Sequence, residues 1–372
     1  MANNKKIKIL FIMASKEMGG SEKNLIEYLK RTDTDKFECF VGLAKVGNIV
    51  EDEFGKINIR LVKFDKKLKL LKFLMKENID IIQLYGLRVN IWARLLGKLA
   101  GAKVVATIRS VDNWRKWYHV MLDRLTSMWV DVWISNSYAG KEVAIKREKF
   151  LADKIKVIHN GIDLSIYQRI PNNDIVVLKK KYGIKSNDII VGEVANIRDM
   201  KGHIDIINAI PNIIKRNRNV KFFFAGEDMS NGEVEKYAKA KNVSEYVIFA
   251  GYCHNIVEIL SLFDIFILPS LWEGLPNSII EAMAIGLPII ASDVGGVSEL
   301  IKDGENGILI KPKSPQQIAS SIIYLIENPN IAEQMGNKNI IRARQNHNIE
   351  NKARDYEKIY MELLEMNQLN ED

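Results

Sequence analysis

A chain of 372 residues, 47% hydrophobic and 27% charged, has a globular composition and is too long for one ordinary core, so two domains of roughly 150–200 residues are expected. Two cysteines, Cys39 and Cys253, exclude a disulfide framework or a cysteine metal cluster and fit a reducing cytoplasm, and no run of about 18 apolar residues offers a membrane span. The net charge of +8 is lopsided: residues 1–170 hold 32 Lys+Arg against 19 Asp+Glu, net +13, and the rest is net −5. The first half therefore suits an anionic partner, whether membrane surface, lipid-linked phosphate or nucleic acid.

Lys5, Lys6 and Lys8 around the apolar run Ile7–Ala14 imitate a signal peptide. K-E-M-G-G-S-E follows where a cleavage site would stand, so the run reads as a strand feeding a glycine loop and a helix. Further strands are predicted at Glu38–Ala44, Ile59–Phe64, Ile79–Leu84, Lys103–Ile108, Val132–Ser135 and Ile155–Ile158, with helices between them such as Glu22–Leu29 and Val89–Ala100. Pro171-Asn-Asn-Asp174 breaks this rhythm, which restarts with strands at Ile189–Ala195, Lys221–Ala225, Tyr246–Ala250, Ile265–Pro269, Ile289–Ala291 and Gly307–Ile310. Such alternation gives βαβ units and parallel sheets. The fold class is α/β, with two doubly wound domains at 1–168 and 169–350 facing a cleft. The final amphipathic helix, Glu350–Met366, is expected to cross back onto the first domain, carrying 351–372 with it.

Four glycine-containing or charged segments carry the chemistry. Gly19 and Gly20 in M-G-G-S-E let the backbone turn sharply before a helix N-terminus, although the G-x-G-x-x-G spacing of a dinucleotide fold is missing. In N-I-R-D-M-K-G-H, Arg198 and Lys201 follow a strand and can grip a diphosphate. In E-G-L-P-N-S-I-I-E, Gly274 and Pro276 interrupt the run between Glu273 and Glu281. Glu273 should then sit on a strand-to-helix loop and Glu281 about one turn into the helix. That arrangement offers carboxylates to sugar hydroxyls and free N–H groups to a phosphate. D-V-G-G-V-S-E, Asp293 to Glu299, is a second glycine loop opening a helix. The last three segments all follow strands and share one sheet edge.

Together G-G-S-E, H-N-G-I-D (His159–Asp163), Lys201-Gly202, the run from Trp272 to Gly296 and the final helix resemble the retaining glycosyltransferases of family 4, over nearly the whole chain. The resemblance implies the GT-B fold, two Rossmann-like domains about an interdomain cleft. It implies a nucleotide-sugar donor held by Gly19, Gly20, Arg198, Lys201, Glu273, Gly274, Leu275, Pro276, Asn277 and Glu281, with Glu281 on the ribose, Glu273 on the sugar hydroxyls and Lys201 on the diphosphate. Glu273, Lys201 and Arg109 are the expected catalytic set. Two positions depart from the family: Arg109 stands where many members carry a His and cannot act as a base near neutral pH, and the usual phosphate Arg falls near Asn196, with Arg198 as its substitute. His119 lies in a helical pattern and reads as structural.

No cofactor and no metal are expected. The D-x-D at Asp33-Thr-Asp35 reads as a solvated turn. Trp114, Trp117, Tyr118, Met121, Leu125 and Trp129 fall at helical spacing among Arg115, Lys116 and Arg124, and Lys66–Lys76 sets five lysines among leucines. Either stretch could lie on an anionic membrane or bury its stripe in the core. Membrane contact would fit a lipid-linked glycan acceptor at the inner face of the plasma membrane, with no nucleic acid involved. A non-hydrolysing sugar-nucleotide epimerase and a non-catalytic nucleotide-sugar-binding protein remain alternatives on the same architecture.

Overall fold

The computed structural model describes residues 6–14, 19–43, 47–57, 59–64, 66–109 and 115–368. Met18 and Trp114 fall outside these residues. The chain forms two compact units, one of residues 1–161 with 349–372 and one of residues 162–348.

Unit 1 holds strands β1 (Ile7–Met13), β2 (Phe37–Leu43), β3 (Arg60–Lys63), β4 (Ile81–Tyr85), β5 (Lys103–Ile108), β6 (Val132–Ser135) and β7 (Ile155–Val157). Helices α1 (Gly20–Leu29), α2 (Asn48–Gly55), α3 (Lys67–Glu77), α4 (Leu87–Leu99), α5 (Trp117–Thr126) and α6 (Tyr138–Val143) alternate with them. The strands pair in parallel in the order β3-β2-β1-β4-β5-β6-β7. The lysine-flanked run at the N-terminus is a central strand: Ile9 to Met13 are at most 1% exposed, as expected where helices cover both faces of a parallel sheet.

Unit 2 contains β8 (Ile189–Val194), β9 (Val220–Ala225), β10 (Val247–Gly251), β11 (Ile265–Leu268), β12 (Ile289–Ser292) and β13 (Ile308–Ile310). Its helices are α7 (Asn172–Lys181), α8 (His203–Ile214), α9 (Glu233–Ala240), α10 (Ile256–Leu262), α11 (Asn277–Ile285), α12 (Val297–Leu300), α13 (Pro315–Glu327) and α14 (Pro329–Asn346). The parallel order is β10-β9-β8-β11-β12-β13. Strand order reverses between β8 and β11, and ligands of doubly wound sheets bind outside the carboxyl ends of the strands at that point.

The last helix, α15 (Ile349–Gln368), belongs to unit 1. Its Tyr356 and Tyr360 rings pack on Tyr28 of α1 at 5.4 and 6.4 Å, and the Tyr360 hydroxyl donates to the buried Gln83 of β4. The unit boundary differs from the expected 168/169 and 350/351. Pro171 caps α7 rather than linking domains: Pro and Asn at a helix start are helix signals as much as breaks. The change of unit falls at Gly161/Ile162, where the Ile162 N–H donates to the His347 carbonyl at 2.9 Å. That pairing joins distant segments and leaves no local mark in the sequence.

Candidate active site

In unit 2 the loops after β8 and β11 flank the switch point, and they bring Lys201 and Glu273 together. Lys201 Nζ donates to Glu273 Oε1 at 2.6 Å, and the buried Ser270 Oγ donates to the same oxygen at 2.7 Å. Glu273 is 7% exposed. A carboxylate so buried needs its charge compensated, and the ammonium and hydroxyl supply that compensation. Ser270 is not among the expected site residues, and its only signal in the sequence is its place just past the carboxyl end of a buried strand.

Backbone geometry fixes both loops. Gly202 has φ +81, and a Cβ there would lie 2.2 Å from the Pro269 carbonyl oxygen. The Leu271 N–H donates to the Met200 carbonyl at 2.8 Å, tying the lysine loop to the acidic loop. Gly295, φ +55, approaches the Glu273 carbonyl so closely that a Cβ would stand 2.0 Å away, while the Gly296 N–H donates to the Gly274 carbonyl at 2.7 Å. The D-V-G-G-V-S-E glycines therefore brace the acidic loop. The helix they open, α12, spans only Val297–Leu300.

Pro276 caps α11 and Asn277 is its first residue, which leaves helix-start N–H groups beside the acidic loop. Glu281 lies one turn into α11, 5% exposed. Leu275 is 3% exposed and packs in the core, so it can serve a ligand only through its backbone. Arg198 caps the short 3-10 turn Asp199–Lys201. Asn196 accepts from the Glu227 N–H at 3.2 Å and braces the neighbouring loop.

A second pair lies beneath Lys201. Glu193 of β8 and His203 of α8 are 0% and 1% exposed, with Glu193 Oε2 3.3 Å from His203 Nε2. Burial raises the Glu193 carboxyl well above its ordinary range, with Lys201 opposing and Glu273 reinforcing. Burial, aided by Lys201, lowers His203 to about 3. The folded pair thus holds a single proton, on Glu193, next to a neutral imidazole. Unfolded, with ordinary values of 4.5 and 6.5, the pair holds two protons below 4.5, one between, and none above 6.5. Stability follows the difference in bound protons. The pair's contribution should be level between pH 4.5 and 6.5, fall on the acid side where only the unfolded state gains a proton, and fall on the alkaline side where only the unfolded state loses one. Thermal melts against pH check this: Glu193→Gln should flatten the alkaline arm and His203→Gln the acid arm. Unchanged arms in both variants would refute the assignment.

In unit 1, Gly19 and Gly20 start α1, and the Gly19 N–H donates to Glu22 Oε2 at 3.0 Å. Arg109 follows β5, donating from Nη1 to Asn160 Oδ1 at 3.0 Å and from Nη2 to the Tyr356 hydroxyl at 3.3 Å, with its guanidinium 5.2 Å above the Tyr85 ring. Asn160 of H-N-G and Tyr356 of α15 together hold this side chain. Burial alone would lower the Arg109 pKa, but Tyr356, Tyr85 and Glu22 outweigh it and hold the guanidinium charged. His119 Nδ1 accepts from the Lys116 N–H at 3.2 Å, capping α5. Asp33 Oδ1 accepts from the Asp35 N–H at 3.0 Å in an exposed turn.

The family model for Glycosyltransferase Family 4 matches residues 31–166, and that for Glycosyl transferases group 1 matches residues 174–342. The chain belongs to glycosyltransferase family 4. This glycosyltransferase is 29% identical over 286 residues to the UDP-Gal:alpha-D-GlcNAc-diphosphoundecaprenol alpha-1,3-galactosyltransferase of Escherichia coli, covering 73% of this chain and 72% of the relative. It is 26% identical over 305 residues to the N-acetyl-alpha-D-glucosaminyl L-malate synthase of Bacillus anthracis, covering 80% and 78%. Among solved structures, Anabaena Alr3699/HepE in complex with UDP superposes with a TM-score of 0.87 at 22% identity, covering 96% of this chain and 100% of that one. The last likeness concerns fold, and it matches the two parallel-sheet Rossmann-like domains of the GT-B class.

Proposed function

We propose that this glycosyltransferase moves a sugar, with retention at the anomeric carbon, from a UDP-linked donor to a lipid-linked glycan at an anionic membrane. The observation that carries the donor half is the Lys201–Glu273–Ser270 cluster at the sheet's switch point, beside the start of α11. The diphosphate takes Lys201 away from Glu273, with Arg198 and the α11 N–H groups sharing the load. Glu273 is then free to accept from donor sugar hydroxyls, and Glu281 holds the ribose. These fixed positive groups stabilise the leaving diphosphate in place of a metal. The UDP bound by HepE and the diphosphate-lipid acceptor in the name of the E. coli relative support the choice of donor and acceptor.

The membrane half rests on α5. Its buried side carries Asp123 and Thr126, while Trp117 is 74%, Met121 44% and Leu125 60% exposed, followed by Met128 at 73%. An apolar outer face over a charged inner one inverts the usual amphipathic helix, and such a surface suits an interface rimmed by cations. In α3, by contrast, Leu70 and Leu74 are buried, leaving Leu68 and Met75 outside. No helix among the described residues is long and apolar enough to cross a membrane.

The deciding experiment is transfer of labelled sugar from a panel of nucleotide sugars to a polyprenyl-diphosphate-linked glycan, in EDTA, with and without vesicles containing phosphatidylglycerol. Acceptor-dependent transfer from a UDP-sugar is expected, with vesicle flotation that weakens as salt rises and that Trp117→Ala/Leu125→Ala reduces. Interconversion of donors without acceptor would replace this reading by epimerisation. Absence of flotation at every salt concentration would remove the membrane.

A further inference from the structure

The helices on the two faces of the unit 1 sheet differ in the sign of their charge and in what they leave exposed. α3 and α4 pack over Leu10, Ile12 and Ile82, and α5 joins α4 through the Arg94–Asp123 ion pair. α1, α2 and α15 cover the opposite face, over Ile9, Phe11 and Ile81. α3, α4 and α5 hold 8 Lys+Arg and 2 Asp+Glu, net +6, whereas α1, α2 and α15 hold 4 and 10, net −6. The excess survives both ion pairing and the connecting segments. Arg94 and Lys98 are met by Asp123 and Asp131, yet residues 65–131 counted whole, with Asp65 and Asp112 included, carry 13 Lys+Arg against 6 Asp+Glu.

The positive charge gathers on α3. Lys66, Lys67, Lys69, Lys72 and Lys76 are all exposed, and the helix's own carboxylate, Glu77, is bonded to Arg60 at 3.0 Å. Lys66 caps α3, and Lys67 and Lys69 lie in a first turn that holds no acidic residue, so three cations crowd the positive pole of the helix. Lys69 and Lys72 stand three residues apart and Lys72 and Lys76 four, spacings at which like charges repel across a helix surface. Folding alone gains nothing from this arrangement, whereas an anionic surface relieves it. Among these cations the face is apolar: Leu68 and Met75 of α3 and Leu95 and Leu99 of α4 are exposed, next to the outward side of α5. Among the described residues, α1, α2 and α15 expose no large apolar side chain. Cations and apolar groups on one face, with acid on the other, fit a negatively charged bilayer and turn the unit as it approaches one.

We infer that α3 reads the anionic headgroups of the bilayer, and that α3, α4 and α5 together form the docking face, with α1, α2 and α15 turned away from it. The inference rests on the membrane contact proposed above for α5. It adds the element that senses charge and the orientation of unit 1 on the surface.

The test floats the full chain with phosphatidylglycerol-containing vesicles and with pure phosphatidylcholine vesicles over a range of salt. Lys66→Gln/Lys72→Gln/Lys76→Gln should weaken binding to the anionic vesicles about 10- to 100-fold, since each lysine near such a surface contributes about fivefold. The salt dependence should flatten with it. Lys180→Gln/Lys215→Gln/Lys236→Gln alters three exposed lysines of unit 2, changes the net charge equally, and should bind as wild type does. All six positions are on the surface, so circular dichroism should show the wild-type fold in both variants. In a Cys39→Ala/Cys253→Ala background, a polarity-sensitive dye attached through Leu99→Cys should shift to the blue on vesicles. The same dye attached through Lys358→Cys of α15, where the side chain is 75% exposed, should not shift. Equal binding to both vesicle types, an α3 variant that binds no worse than the unit 2 variant, or a shift at Lys358→Cys overturns the inference and leaves the α5 contact standing. Failure of wild type to float with anionic vesicles strikes the membrane reading itself. A blue shift at Leu99→Cys without vesicles, together with a dimer in sedimentation, gives the face to a second copy of the chain and overturns the bilayer assignment.

Discussion

Glu273→Gln should lower kcat for sugar transfer by about 10²- to 10³-fold, the scale seen when one preorganised electrostatic contact is removed from an active site. The amide keeps the shape of the side chain that meets Lys201 at 2.6 Å and Ser270 at 2.7 Å, so the loop should hold its place. What disappears is a negative charge. Lys201 then has no carboxylate to leave when a diphosphate arrives, and bare UDP should bind as well as before or somewhat more tightly. Glu281→Ala should behave differently. Glu281 is proposed to hold the ribose, so both UDP and the intact donor should weaken together, by about tenfold or more for a lost charged hydrogen bond. Isothermal titration of each variant with UDP and with the UDP-sugar, beside steady-state transfer rates, separates the two roles. Equal losses for both ligands in both variants would overturn the division of labour.

Much of the local structure around these residues is legible in the sequence, because short-range chemistry specifies it. The strands Lys103–Ile108 and Val132–Ser135 were legible to the residue, being continuous β-branched or apolar runs bounded by turn residues. Glu273 and Glu281 were placed correctly because Gly274 and Pro276 interrupt any helix before Asn277. The bracing contacts were not legible. Nothing local announces that Gly295 packs against the Glu273 carbonyl, or that Asn196 bonds across to the next loop, since each partner arrives from a different strand. Glu193 and His203 sit ten residues apart in sequence and meet only because β8 and α8 stack beside each other.

The orientation of α5 is the most instructive case. Periodicity revealed an apolar stripe, and burial in the core is the ordinary destiny of such a stripe. Which face turns inward depended instead on Arg94, on another helix, whose guanidinium is fully buried and stacks 4.6 Å from the Trp133 ring. A buried cation requires a partner, and Asp123 supplies it, so α5 turns its polar side to the protein and its tryptophan outward. Long-range charge pairing thus overrode the local hydrophobic pattern, and the lysine-rich sequence alone could not show where the balancing carboxylate would lie.

That reasoning makes Asp123 the residue whose loss should cost unit 1 most. Asp123→Asn leaves Arg94 and Arg115 buried at 0% and 9% side-chain exposure without the carboxylate each now meets at 2.5 Å. Breaking one side of a buried ion pair typically costs about 3–5 kcal/mol, and for a domain of this size that corresponds to a fall in Tm on the order of 10 °C. Burial already lowers the Arg94 pKa against the pull of Asp123, so the variant strips away the group that keeps it charged at least cost. Five of the six tryptophans, residues 92, 114, 117, 129 and 133, lie within unit 1, so intrinsic fluorescence during urea unfolding follows this unit selectively. The double variant Arg94→Met/Asp123→Leu removes both charges and fills the space, and it should be more stable than Asp123→Asn because replacing a buried ion pair with apolar side chains is often neutral or favourable. If Asp123→Asn unfolds at the wild-type urea concentration, the carboxylate does not hold α5, and the outward face of that helix needs another cause.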